Sequence, residues 1–197
     1  MATVRYLTHP EVQVDPAVPI PDWSLSAVGR ARVAALIATG YLKGTAQVIS
    51  SAETKAVETA SPIADALGVA MIRRPAMHEN DRSATGFLPG PVFEAVADTF
   101  FAHPDDSVRG WETARSAQAR IRREVQAALA AAPTGDILFV GHGAVGTLLF
   151  CDLARLDIDR AHDQPAGGGC LFAFNRESGG VLHRWRRIED LAGFNPG

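Results

Sequence analysis

The chain has 197 residues, with 47% hydrophobic and 21% charged side chains and a formal net charge of −3. That length suits one domain with a sizeable core, and the composition excludes a disordered or fibrous chain. The slightly acidic balance gives no electrostatic reason to expect nucleic acid or an anionic membrane as partner. Two cysteines, Cys151 and Cys170, both in apolar contexts, are too few for a disulfide framework and read as buried free thiols of a reducing compartment. The first residues lack the charged-then-apolar order of a signal peptide, and no apolar run is long enough to span a bilayer, so the expected location is cytoplasmic.

In chain order, Val4 to Thr8 is a short strand delivering His9 at its end. A polar passage with Pro16, Pro19 and Pro21 reads as surface loop, because proline fixes φ and donates no amide hydrogen. Ser26 is the expected N-cap of a helix over Ala27–Thr39 that Gly40 closes. Ala46–Ser50 is a second strand. Ser51 then caps a helix from about Ala52 to Leu67, with Ala56, Ala60, Ile63 and Leu67 on one stripe and Gly68 at its end. Val69–Arg73 is a third strand, followed by His78, Glu79, Asn80, Asp81 and Arg82. Loops at 83–90 and 103–110 flank a helix over Pro91–Phe101, and Thr113–Ala131 carries Ala117, Ile121, Val125 and Leu129 at four-residue spacing.

The run Ile137-Leu138-Phe139-Val140 then enters Gly141-His142-Gly143, and a second apolar segment, Val145–Leu153, follows at once. Apolar residues without alternation mark a strand buried on both faces, the middle of a parallel sheet. The glycines let the backbone turn sharply into a helix. His142 thereby stands at the carboxyl end of a strand, where open α/β sheets bind ligands. The triple glycine at 167–169 reads as a flexible turn before two β runs, Cys170–Phe174 and Val181–Arg187, joined by a Ser178-Gly179-Gly180 hairpin turn. The expected fold is a three-layer α/β/α sandwich, its central sheet mostly parallel with an antiparallel edge.

These landmarks, in this order, resemble those of the histidine phosphatase superfamily, the phosphoglycerate mutase-like proteins. The family opens with a strand into Arg-His-Gly, and Thr8-His9-Pro10 stands there. Leu25-Ser26-Ala27-Val28-Gly29 matches its Leu-Thr-x-x-Gly. Ser51 to Ala60 matches its Ser-x-x-x-Arg-Ala-x-x-Thr-Ala, with Lys55 in place of arginine. Val140-Gly141-His142-Gly143 matches its Val-x-His-Gly, and Glu79 follows the third strand where the family's acid/base carboxylate stands. The resemblance implies a phosphatase-like hydrolase of a small phosphorylated metabolite. His9 is then the nucleophile that becomes phosphorylated, His142 the second histidine and Glu79 the acid/base. No cofactor or metal is expected.

The chemistry asks for such groups. A transferring phosphoryl group spreads negative charge over its oxygens, so catalysis is mostly positioning plus cationic hydrogen-bond donors. His9 attacks through one unprotonated nitrogen while a backbone acceptor holds the other. His142, if protonated, stabilises the equatorial oxygens. Lys55 supplies charge without the planar fork of arginine, and Thr8 offers a hydroxyl or only fills space. Losing one oxyanion donor costs about two to three orders of magnitude in rate. Arg5 shares the face of Leu7 and His9 but lies two residues deeper in the strand, so it does not rescue the site, and Pro10 removes a backbone N–H. Arg82, near Glu79 in the same loop, is the candidate substitute cation.

Ordinary structural roles stand beside these. Lys55 could be an exposed helix lysine, and Glu11 or Glu53 could be mistaken for Glu79. His78, His103, His162 and His183 read as surface or hydrogen-bonded loop residues, and Arg184, Arg186 and Arg187 as a solvated strand face. The rival to a hydrolase is an inactive member that binds a ligand or partner through the same pocket. A further alternative keeps the histidine pair with a less anionic substrate. The sequence leaves the substrate and the oligomeric state open.

Overall fold

The computed structural model describes residues 2–194. Its strands are β1 (Thr3–Thr8), β2 (Thr45–Ser51), β3 (Met71–Arg74), β4 (Asp136–Gly141), β5 (Cys170–Asn175) and β6 (Val181–Arg187). Its α-helices are α1 (Ala27–Thr39), α2 (Thr54–Leu67), α3 (Gly90–Ala102), α4 (Ala114–Ala131) and α5 (Gly143–Ala154). The strands form one sheet in the order β3-β2-β4-β1-β5-β6. The first four are parallel, and β5 reverses against β1 and pairs with β6 as a hairpin. This is the expected α/β sandwich with antiparallel pairing at one side.

Side-chain alternation along the strands builds two cores. Ile137 and Phe139 of β4, with Val4 and Tyr6 of β1, pack under α4 and α5. Leu138 and Val140, with Leu7 and Val48, pack under α1 and α2. All four β4 residues are completely buried, which explains the unbroken apolar run. Each such burial contributes about 1.5–3 kcal/mol.

Two boundaries shift from expectation. Ser51 is the last residue of β2, paired with Arg74 across the sheet, so it does not cap α2. The helix starts at Thr54, with Glu53 at its N-cap position and no side-chain cap bond. The third strand starts at Met71 because Val69 is consumed by the helix end: its N–H bonds Ala64 O (3.1 Å) while Gly68 N–H bonds Asp65 O (3.2 Å). Ser26 does cap α1, accepting from Gly29 N–H at 3.0 Å, and Gly40 closes it in the left-handed region.

The connection from β3 to α4 is an excursion closed at its base. Glu112 N–H donates to Asp81 O (2.8 Å) and Asp81 N–H to Glu112 Oε2 (3.1 Å). Arg120 of α4 pairs with Glu112 (2.7 Å) and donates to the carbonyls of Ala76 (2.8 Å), His78 (2.9 Å) and Glu79 (3.3 Å). Helix α3 and Trp111 roof the core from within this excursion through Val96, Phe100 and Phe101. No described helix is long and apolar enough to cross a membrane.

Candidate active site

Strands β1 and β4 lie side by side with Thr8 opposite Gly141, so they deliver His9 and His142 to the same end of the sheet. The two rings meet edge to face, centroids 5.3 Å apart. His9 N–H donates to Gly141 O (3.0 Å) and His9 O accepts from Gly169 N–H (3.1 Å). The triple glycine is therefore a fitted turn rather than a loose one. Gly168 has φ +62°, a Cβ on it would lie 2.4 Å from His9 O, and Arg32 holds the carbonyls of Gly167 (3.0 Å) and Gly168 (3.1 Å).

The His9 ring is half-buried, and its Nδ1 lies 2.8 Å from Pro10 O. A carbonyl only accepts, so Nδ1 carries the proton and Nε2 keeps its lone pair. Burial lowers the His9 pKa to about 4; the Pro10 bond opposes this, and Lys55 reinforces it. Near neutral pH the ring is uncharged.

His142 is fully buried at the N-cap position of α5. Its N–H donates to Tyr6 Oη (3.2 Å), which donates back to His142 O (3.4 Å). The glycines beside it serve space rather than turning. A Cβ on Gly141 would stand 2.3 Å from Tyr6 Oη, one on Gly146 2.6 Å from Tyr6 Cε1, and neither has positive φ. The His142 Nε2 lies 2.9 Å from Ser51 Oγ and 3.5 Å from Glu53 Oε1, and its Nδ1 has no partner. Burial holds its pKa well below the ordinary value, against the pull of Glu53. Burial thus favours the neutral His142 ring over the protonated form in which it would stabilise the equatorial oxygens.

Glu79 reaches the amino end of α5. Its Oε1 accepts from Val145 N–H (3.0 Å) and Asn80 N–H (3.1 Å), its Oε2 from Ala144 N–H (3.2 Å). Burial raises its pKa, opposed by Arg82 and by these bonds. A carboxyl so placed can hold a proton and release it.

The expected anion-binding residues differ in availability. Thr8 is fully buried; its hydroxyl donates to Gln164 Oε1 (2.6 Å) and accepts from Cys170 N–H (3.0 Å), so both roles are used within the fold. Lys55 is buried rather than an exposed helix lysine, ion-paired with Glu53 and donating to Ile20 O (2.9 Å). Burial penalises the Glu53 carboxylate, but His142, Lys55 and Glu79 N–H (2.9 Å) outweigh that and hold its pKa down. With His142 neutral, the Lys55 and N–H contacts sustain this at neutral pH. Arg82 stacks its guanidinium 4.8 Å from the Phe93 ring centre and, among the described residues, forms no ion pair. Arg5 is tied to Asp136 (2.9 Å) at the far end of the strands.

A cavity of about 540 Å³ opens beside these groups. Pro19, Ile20 and Pro21 form an apolar wall; Glu53, Glu79, Asn80, Asp81 and Arg82 form a polar one. Glu53, 3.5 Å from His142 Nε2, links it to the histidines. Sequence reasoning gave no site role to Ser51, Glu53 or Asn80. The available signal was Glu53 two residues before Lys55 within the Ser51–Ala60 motif.

Residues 17–187 match the family model of the histidine phosphatase superfamily (branch 1). No curated protein matches the sequence closely enough to count as a relative. Among solved structures, Bacillus stearothermophilus YhfR is similar at 17% identity and TM-score 0.75, covering 93% of this chain and 95% of that one. A mycobacterial glucosyl-3-phosphoglycerate phosphatase is similar at 18% and 0.71, covering 94% and 96%, and has been solved with inorganic phosphate and with VO3. A phosphoserine phosphatase of Entamoeba histolytica, in complex with 3-phosphoglyceric acid, is similar at 16% and 0.70, covering 92% and 94%. At these identities the structural likeness shows the fold, while the family model covers most of the sequence. The chain belongs to the histidine phosphatase superfamily.

Proposed function

We propose that the protein hydrolyses a small phosphorylated metabolite through a phosphohistidine intermediate on His9. The observation that carries this reading is the His9 ring itself: Nδ1 spent on Pro10 O, Nε2 left with a lone pair, and the His142 ring 5.3 Å away. Nε2 attacks phosphorus, the bond to the leaving oxygen breaks, and Glu79 protonates that oxygen. Water then attacks the phosphohistidine, Glu79 takes its proton, and the P–N bond breaks. Arg82 supplies the unpaired charge that binds the phosphoryl oxygens; Lys55, its charge matched by Glu53, offers them only its remaining N–H, and the unpartnered Nδ1 of His142 faces no competing protein group. Phosphate and VO3 bound to the mycobacterial relative agree with such a substrate.

A panel of small phosphate mono- and diesters tests the reading, with His9→Ala alongside and alkaline mass spectrometry to find phosphate on His9. Turnover should vanish in His9→Ala. Because His9 titrates at about 4, the acid limb of kcat/KM should lie well below the ordinary histidine value of about 6.5. Full turnover by His9→Ala would sink the proposal. A second reading, a binding protein without turnover, is favoured by the spent hydroxyl of Thr8 and the ion-paired Lys55. It expects phosphate binding that Arg82→Ala weakens, with no product from any ester.

A further inference from the structure

Resting on that hydrolase reading, we infer that the phosphoryl group this site accepts carries one negative charge, as in a phosphodiester, rather than the two of a monoester. A phosphate monoester is close to doubly charged above its second pKa of about 6. The site does not match that charge. Lys55 is committed: its ammonium is ion-paired with Glu53 and bonded to Ile20 O at 2.9 Å. The two side chains are only 4% and 9% exposed, so water does not loosen the pair. Thr8 is neutral with its hydroxyl used. Among the described residues, Arg82 is then the one lysine or arginine lining the cavity, and it shares the lining with His78 and the carboxylates of Glu53, Glu79 and Asp81.

The cavity also has room for the second ester arm. Its volume is about 540 Å³, with the Pro19-Ile20-Pro21 wall on one side. The Asn80 side chain, in the polar wall, is 5% exposed, and its Nδ2 bonds nothing in the protein. A buried amide without a partner is costly, so a ligand acceptor there has a donor waiting. In the reaction, Nε2 of His9 bonds phosphorus, the P–O bond to one alcohol breaks, and that alcohol leaves with the Glu79 proton. Water then displaces Nε2 and returns a proton to Glu79. The product is a phosphomonoester, which gains a second charge near neutral pH and is expelled by the same carboxylates.

The test compares bis(p-nitrophenyl) phosphate with p-nitrophenyl phosphate at pH 8, using the full chain, His9→Ala and Glu53→Gln. We expect kcat/KM for the diester to exceed that for the monoester by about tenfold or more, both lost in His9→Ala. Glu53→Gln frees the Lys55 charge and should move the ratio toward the monoester by about tenfold. A monoester cleaved faster through His9 overturns the inference and leaves the hydrolase reading standing. A ratio unchanged by Glu53→Gln in a folded variant overturns the charge argument. Neither ester cleaved, or both cleaved without His9, overturns the hydrolase reading together with the inference.

Discussion

The two histidines leave neighbouring parallel strands at the same level, yet they are held by opposite means. His142 is fixed locally: the next residue begins α5, and Tyr6 clasps its N–H and carbonyl from the adjoining strand. His9 runs into a proline-rich loop and is fixed remotely, by a glycine turn about 160 residues further along the chain. Equivalent positions in a sheet can thus depend on very different parts of the sequence. The buried histidine needs its own helix and one phenol; the half-buried one needs a distant loop of particular shape.

The largest way to break this contrast is Gly168→Ala. The side chain would meet His9 O at 2.4 Å in a backbone conformation that suits glycine. A loss of about 3 kcal/mol in urea unfolding is expected. Turnover should fall by about a hundredfold through displacement of His9. Wild-type stability in that variant would show that the remote turn does not fix His9. Tyr6→Phe loosens His142 alone. It orphans a buried N–H and should cost about 2 kcal/mol while the Nδ1–Pro10 contact of His9 survives, visible in the nitrogen chemical shifts of the two rings.

Acid sharpens the comparison, because both rings are held below their ordinary pKa. Unfolding lets them bind protons that the native state refuses, so stability is present above about pH 6.5 and falls as pH drops toward the His9 value of about 4. Each ring contributes a slope of up to about 1.4 kcal/mol per pH unit in that window. The lowered Glu53 adds the same sign below the ordinary carboxylate value, and the raised Glu79 opposes it. Chemical unfolding in steps from pH 7.5 to pH 4 checks this, and His9→Asn should flatten the curve. The smallest effect serves as a control: Ser26→Ala removes the α1 cap, costing about 1 kcal/mol, and should leave kcat/KM unchanged.

What the sequence made legible was local. The unbroken apolar run of β4, the Ser26 cap and the Gly40 and Gly68 stops each follow from a few adjacent residues. The positions of His9, His142 and Glu79 followed from strand ends. What stayed hidden crosses the chain. Thr8 loses its hydroxyl to partners 156 and 162 residues away, so no window around it could show that it is spent. Lys55 looks like an exposed helix residue until Glu53 and the Ile20 carbonyl close over it. Gly141 reads as a turn residue, and only the Tyr6 ring reveals that it is an absence of bulk.

The excursion closed by Asp81 and Glu112 has a consequence for redesign. Because its two ends meet, the chain between them can be exchanged as a cassette without changing the span that the framework must bridge. Arg120 grips the backbone just ahead of the first end, through the carbonyls of Ala76, His78 and Glu79, so an exchange would leave the Glu79 carboxylate in its seat. A graft must bring its own apolar cover for what Phe100, Phe101 and Trp111 now roof. A graft must also restore a cation where Arg82 stands; within those conditions the outer wall of the cavity is a replaceable part, while His9, His142 and Glu79 stay with the framework.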